Sequence, residues 1–270
     1  MSHQLKDEND RYFYNFLSRS ISILTEQGIK KLRNSTVAIA GCGGSGGVTA
    51  VTLARSGVGN FILADSGRFD EPDVNRQWAA FKSTLGKNKT EVYEKVLKDI
   101  NPAINIKKFY KGVPFTSLSD FLDKVDIVID ALDYFVNYES RKELYRQARK
   151  KGIFMLTSPI VGFGTAFMGF LPSGMRHEDF MELWNRHIPF HIKEYLVPEY
   201  VDLTKDRMKV HEIPSLSLNC VLAGRLLATE SLIILLQDVL PIKREPIIAP
   251  KFVIVDLFRQ KYNILDVTKL

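Results

Sequence analysis

The sequence predicts an α/β fold: a Rossmann-like, doubly wound, mostly parallel sheet extended by antiparallel strands. Three observations carry that expectation. Short apolar runs of strand length alternate with segments of helical periodicity over roughly the first 160 residues. A glycine-dense turn, "GCGGSGG" at 41–47, joins the first apolar run to the segment behind it. The pattern then changes after "IFMLTSP", where an almost wholly apolar helix and two more strand-like runs close the chain.

Taken in order, residues 1–33 read as an N-terminal helical arm carrying "FYNFLSRSISIL" and "TEQGIKKL", and residues 34–270 as the main domain. "TVAIAG" is a buried strand, "GGVTAVTLARSGV" a helix closed by Gly57, and "NFILAD" the next strand. "KTEVYEKVLKDINP" predicts an amphipathic helix, because Val92, Val96 and Ile100 recur every fourth residue and Pro102 ends it. "INIKKFY" alternates as a strand at a sheet edge does. "VDIVIDAL" is a buried strand, "SRKELYRQARKKG" a helix with a polar face, and "IFMLTSP" a further strand. Strands and helices in this order imply parallel pairing with right-handed crossovers. "GTAFMGFLP" is an added antiparallel strand, and residues 172–213 are expected to form an irregular crossover rich in aromatics, histidine and proline. "SLNCVLAGRLLATESLIILLQDVL" is apolar almost all round and so predicts a buried helix. "PKFVIVDLF" and "YNILDV" make a closing hairpin.

Bulk properties exclude several classes. The 37 basic and 31 acidic residues leave a net charge of +6 in mixed clusters, with no basic tail, so nucleic-acid binding is not indicated. The excess suits a phosphate-bearing ligand. Two cysteines, Cys42 and Cys220, allow neither a disulfide framework nor a zinc ribbon. The N-terminus is too polar for a signal peptide. The most apolar stretch, "SLIILL", lies in a segment interrupted by Arg225 and Glu230, short of the ~20 apolar residues of a membrane span. A cytoplasmic protein without a membrane segment is expected.

Gly41, Gly43 and Gly46 fit G-x-G-x-x-G at the end of a strand, with Gly44 as an extra glycine. Such a turn lets phosphates approach a helix N-terminus, whose free N–H groups and dipole favour anions. Asp65, ending the next strand, is a ribose acceptor. These features suit a nicotinamide dinucleotide as well as a triphosphate. "DEPDVNRQ" then brings Asn75, Arg76 and Gln77 onto one loop, and "LGKNKTEV" places Lys87 and Lys89 at a helix start. A triphosphate losing pyrophosphate needs fixed cations to neutralise the leaving charge, which Arg76 and Lys89 supply. A metal carboxylate comes from Asp130 or Asp133 in "IDALDYF". Lys87 reads as a solvated helix-start residue, and Asp130 as a structural carboxylate. All these groups fall at strand ends on the edge where open α/β sheets bind ligands.

Several motifs together resemble the ThiF/MoeB/HesA family, prokaryotic relatives of ubiquitin-activating enzymes. They are "LRNSTVAIAGCGGSGG", "ADSGRFDEPDVNRQ", "LGKNKTEVYEKVLKDINP", "DIVIDALDYF", "PSLSLNCVLAGRLLATESLIILL", and upstream "FLSRSI" and "TEQGIKKL". The resemblance covers most of the chain. It implies a homodimeric adenylyltransferase using ATP and Mg²⁺, in which the C-terminal carboxylate of a peptide or ubiquitin-like carrier attacks the α-phosphorus. By the same resemblance Asp65 holds the ribose, Arg76 and Lys89 the phosphates and Asp133 the Mg²⁺. Arg19 reaches the nucleotide from a second subunit. The chain departs from the pattern at Gly67 (Asp in the family), Asp73 (Asn) and Tyr134 (Asn), each read as a polar group lost from the site edge. Paired zinc cysteines are absent, and no cysteine lies in 172–213, so adenylation without a cysteine relay is expected.

Two rival readings stay open from sequence: an NAD-dependent oxidoreductase on the same sheet, and a non-catalytic relative that binds a carrier protein. Among other candidates, Cys42 is filler in the turn and Cys220 an inert core thiol. His177, His187, His191 and His211 crowd one segment, and His187 with His191 has i,i+4 spacing without a convincing third zinc ligand. Phe163, Phe180, Trp184, Phe190 and Tyr195 are read as core or interface aromatics.

Overall fold

Strand β1 (Thr36–Ala40) lies at the centre of the parallel half of the sheet and is buried along nearly its whole length. Val37 and Ile39 face one hydrophobic cluster, and Ala38 and Ala40 face the other, which is why the run is continuously apolar. The remaining strands are β2 (Asn60–Ala64), β3 (Asn105–Phe109), β4 (Ile127–Asp130), β5 (Phe154–Thr157), β6 (Ile160–Val161), β7 (Gly164–Phe170), β8 (Lys251–Asp256) and β9 (Lys261–Asp266). They are ordered β3-β2-β1-β4-β5-β7-β8-β9, with β6 pairing β7. Pairing is parallel from β3 to β5 and antiparallel from β5 to β9. The fold class is the one the sequence predicts. The computed structural model describes residues 7–133, 136–195 and 214–270, and of 161 and 187–195 the backbone alone.

The parallel half is connected by helices on both faces: α4 (Gly44–Arg55), α5 (Lys89–Ile100), α6 (Leu118–Phe121) and α7 (Tyr138–Lys150). Asn88 caps α5, its side chain accepting from Thr90 N–H at 3.0 Å. Gly57, at φ +103°, closes the turn after α4 as expected.

The late apolar helix, Ser217–Leu236, packs lengthwise on α4 and carries the fully buried Cys220, Ala223, Leu227 and Leu236. At 20 residues it is long and apolar enough to cross a membrane, contrary to the count made from "SLIILL" alone. In this fold more than half of its apolar window is buried against the body of the protein.

One prediction is overturned. The segment from 172 is not irregular throughout, since His177–Tyr195 forms a helix, α8. Phe180 and Trp184, one turn apart, stack on each other and meet Phe252 of β8 edge-on. That contact with a distant strand outweighs the loop-like composition. Residues 196–213, with His211, lie outside the described residues, as does Tyr134. The side chains of His187, Phe190, His191 and Tyr195 lie outside them as well.

The arm forms α1 (Glu8–Phe16), α2 (Ile21–Leu24) and α3 (Glu26–Asn34). Phe13, Leu17 and Ile29 make its own small core. Arg33 pairs with Asp10 and ties α3 to α1, while Tyr12 Oη donates to Ile100 O at 3.1 Å and Leu17 lies against Gly57, anchoring the arm at the C-terminal ends of α5 and α4.

Candidate functional site

The carboxyl ends of β1, β2 and β4 bring the predicted residues to one edge of the sheet. The chain leaves β1 through Gly41, whose φ of +94° favours glycine and whose N–H donates to Ala64 O at 2.8 Å. Four of the five glycines are bare because the protein itself fills the space. A Cβ would meet Ala131 O at 2.3 Å from Gly41, Cys220 Sγ at 2.6 Å from Gly44, Gly41 O at 1.9 Å from Gly46, and Tyr93 Oη at 1.8 Å from Gly47. Only Gly43 differs, since its nearest neighbour is the Gln77 side chain at 3.8 Å. The expectation that the whole turn is bare for a ligand is thereby narrowed to one position. Gly43 is also the N-cap of α4 and provides no side-chain cap, so among the described residues no side chain caps the first N–H groups of that helix.

Asp65 braces this turn. Its Oδ2 accepts from Cys42 N–H and its Oδ1 from Gly67 N–H, both at 2.7 Å. Each oxygen keeps a lone pair for a further donor.

Asn75, Arg76 and Gln77 follow a 3₁₀ turn (Glu71–Asn75) over this edge. Arg76 donates to Asn75 Oδ1 at 3.1 Å and to Asp73 Oδ1 at 3.4 Å. Asn75 Nδ2 reaches Ser215 O at 3.2 Å, tying the loop to the segment before the central helix. Lys89, first residue of α5, brings Nζ to 3.1 Å from Asp73 Oδ2 and passes 5.6 Å from the Phe69 ring centroid. Gln77 Nε2 also donates to Asp73, while its Oε1 is buried without a hydrogen-bond partner. Lys87 is exposed, as expected of a solvated helix-start residue.

Asp73 is the hub of this arrangement, and sequence reasoning missed it. Its replacement of asparagine does not strip a polar group from the edge. It places a buried carboxylate where three donors converge. Gly67 has a matching consequence: a Cβ there would lie 3.3 Å from Lys89 Cε, so the lysine stem runs across the bare position.

The two acidic candidates after β4 part company. Asp130 is fully buried, accepting from Tyr145 Oη at 3.0 Å and Leu132 N–H at 3.2 Å, with Arg141 Nε at 3.3 Å. Burial pushes its carboxyl pKa up, with Arg141 and Tyr145 opposing. Asp133 is exposed on the turn beyond. Arg141 donates to Leu132 O at 2.9 Å and Asp133 O at 2.8 Å, fixing that turn. Arg141 comes from α7 with no motif to announce it.

Burial pushes the Cys42 thiol far above its usual range, with the charge of Asp65 adding to the effect. Cys220 is pushed up to about 11 by burial, partly opposed by Arg76. Both stay protonated near neutrality and are poor nucleophiles. Among the described residues no group of three His, Cys, Asp or Glu side chains is placed to hold a metal.

Arg19 is not brought to this cluster. It sits two residues beyond Leu17, whose side chain abuts Gly57 behind the far end of α4. Two residues span at most ~7 Å, against ~18 Å for the twelve residues of α4.

The ThiF family model matches residues 17–269. The chain belongs to the ThiF family. Its relatives include a Bacillus subtilis protein named tRNA threonylcarbamoyladenosine dehydratase, 40% identical over 119 residues (43% of this chain, 46% of that one). Another is the Escherichia coli sulfur carrier protein ThiS adenylyltransferase, 30% identical over 166 residues (61% and 64%). The chain thus spans about half to two thirds of the length of these relatives. In fold it is similar to E. coli MccB crystallised with ATP, with a TM-score of 0.72 at 20% identity, covering 99% of this chain and 74% of that one. The glycine turn, the N-R-Q loop and the start of α5 lie against one another at this edge of the sheet.

Proposed function

We propose that this ThiF-family chain is a Mg·ATP-dependent adenylyltransferase that activates a carboxylate. An oxygen of the acceptor's carboxylate attacks the α-phosphorus, the bond from that phosphorus to the bridging oxygen breaks, and an acyl-adenylate and pyrophosphate result. The observation that carries the reading is the convergence of Arg76, Lys89 and Gln77 on Asp73, with Gln77 reaching over to Gly43 at the open N-terminus of α4. A hydride-transfer enzyme has no use for two cations there, and family membership favours the triphosphate over the nicotinamide reading. Because a carboxylate is already a nucleophile, the protein need only align the reactants and neutralise charge.

In this reading Asp65 accepts from the ribose hydroxyls while bracing the turn, and the first N–H groups of α4 face the phosphates beside Gly43, with Gly41, Gly44 and Gly46 packing the turn into that shape. Asn75 holds Arg76 in place, and Arg76 with Lys89 neutralises the leaving pyrophosphate. Magnesium takes one or two protein carboxylates plus phosphate oxygens, so the exposed Asp133 is a fitting donor without a full protein cage. Mg²⁺ would there offset charge on the phosphates. In the homodimer that this reading includes, Arg19 would come from the arm of the second copy.

The acceptor of first choice is the C-terminus of a peptide or ubiquitin-like carrier, as the names of the ThiS adenylyltransferase relative and of the MccB structures with the peptide MccA suggest. A second acceptor has its own support, since the relatives at 40% and 32% identity are both named for dehydration of a modified tRNA nucleoside. ATP–pyrophosphate exchange, run with carrier peptides and separately with tRNA, tests both. Exchange is expected with one acceptor class and is lost in Arg76→Ala, Lys89→Ala and Asp133→Ala. Activity surviving all three substitutions overturns the site.

A further inference from the structure

Between the two cations stands a carboxylate that phosphate binding by itself does not call for. Asp73 is 5% exposed. Its Oδ2 takes Lys89 Nζ at 3.1 Å and Asp70 N–H at 3.3 Å, while its Oδ1 takes Arg76 Nη2 at 3.4 Å and the Gln77 amide. The side chains of Lys89 and Arg76 are 13% and 27% exposed, so the triplet is only partly screened by water. Because a carboxylate only accepts, it takes the NH₂ group of Gln77. The buried Oε1 is left without a partner, 3.9 Å from the Cβ position of Gly43. The bare Gly67 leaves the path along which Lys89 reaches it.

We propose that Asp73 is a positioning residue and the resident counter-ion of the phosphate site. Before nucleotide binds, it gathers Arg76, Lys89 and Gln77 into one cluster. When phosphate oxygens arrive, they replace it as partners of the two cations, and when pyrophosphate departs Asp73 takes the cations back. The price is affinity: Arg76 and Lys89 with Asp73 carry a net +1, where a neutral side chain at 73 would leave +2. The inference rests on the adenylation reading.

The test is calorimetric titration of inorganic pyrophosphate, at low and high salt, into the wild type, Asp73→Asn, Asp73→Ser and Lys89→Ala. A unit charge a few ångströms away shifts affinity about fivefold even at the screening of bulk water, and more where burial weakens that screening. Asp73→Asn is therefore expected to bind pyrophosphate about fivefold tighter or more than wild type, with steeper salt dependence, and to show lower KM for Mg·ATP together with lower kcat in exchange. Asp73→Ser gives the same direction if the asparagine variant does not fold. Equal or weaker binding by a folded neutral variant overturns the counter-ion role and leaves Asp73 as scaffold. If wild type and Lys89→Ala bind pyrophosphate alike, or neither binds, the phosphate site itself has been misplaced and this inference falls with it.

Discussion

The glycine turn offers the sharpest separation of packing from binding. At Gly46 a methyl group would sit 1.9 Å from Gly41 O, so Gly46→Ala forces the backbone of the turn to move. Overpacking of that kind costs typically ~1–3 kcal/mol and more where backbone is the obstacle, so a loss of about 3 kcal/mol or more is expected. Gly43 has an ordinary φ of −83°, and its Cβ would meet only Gln77, at 3.8 Å. Gly43→Ala loses about 1 kcal/mol as a poorer N-cap, and its ψ of −140° withholds the gain that a stiffer unfolded chain would otherwise bring. Its stability is expected to fall by about 1–2 kcal/mol, clearly less than that of Gly46→Ala. The added methyl stands on the one open face of the turn, where a phosphate would lie. At a Mg·ATP concentration one hundred times Kd the wild type gains about 2.7 kcal/mol, whereas a tenfold weaker variant gains about 1.4. Chemical denaturation with and without Mg·ATP reads both quantities. Gly43→Ala stabilised by ATP as much as wild type would refute the placement of the ligand. Gly43→Ala as unstable as Gly46→Ala would refute the division of the turn into packed and open glycines.

His177 and Cys220 supply the other two expectations. Burial among Tyr145, Phe170 and Tyr138 lowers the His177 pKa from 6.5 to about 4, with Glu178 opposing and Arg141 adding to the fall. The unfolded chain therefore binds the proton first, and stability falls as pH drops from about 6.5 toward 4, by on the order of 3 kcal/mol. Denaturation midpoints of wild type and His177→Phe are expected to diverge across that window and run parallel above pH 7; parallel curves throughout would show that His177 titrates normally. Cys220→Ser keeps a small side chain against Gly44 and removes a thiol that is protonated near neutrality, so exchange activity should stay within about twofold of wild type. Its abolition in a folded variant, judged by circular dichroism, would restore a covalent role for this cysteine.

Much of this protein is legible in one dimension, because burial on both faces of a parallel sheet leaves continuous apolar runs and helices of a doubly wound fold keep a clear period. "TVAIAG", "NFILAD" and "VDIVIDAL" declare themselves as strands, and Val92, Val96 and Ile100 declare α5, without any knowledge of their neighbours. The carboxyl-edge placement of Asp65, Arg76 and Lys89 follows from that order alone. Contacts between distant segments are another matter, since no local pattern encodes them. That Gly44 is bare for Cys220 and Gly47 for Tyr93, that Arg141 fixes the turn carrying Asp133, and that helix α8 forms because Phe180 and Trp184 find Phe252, all depend on which surfaces meet in three dimensions. Asp73 shows the boundary most plainly. As a letter it is an acidic substitution within a motif, and only the approach of α5, sixteen residues further along the chain, turns it into the buried anion around which two cations and an amide assemble.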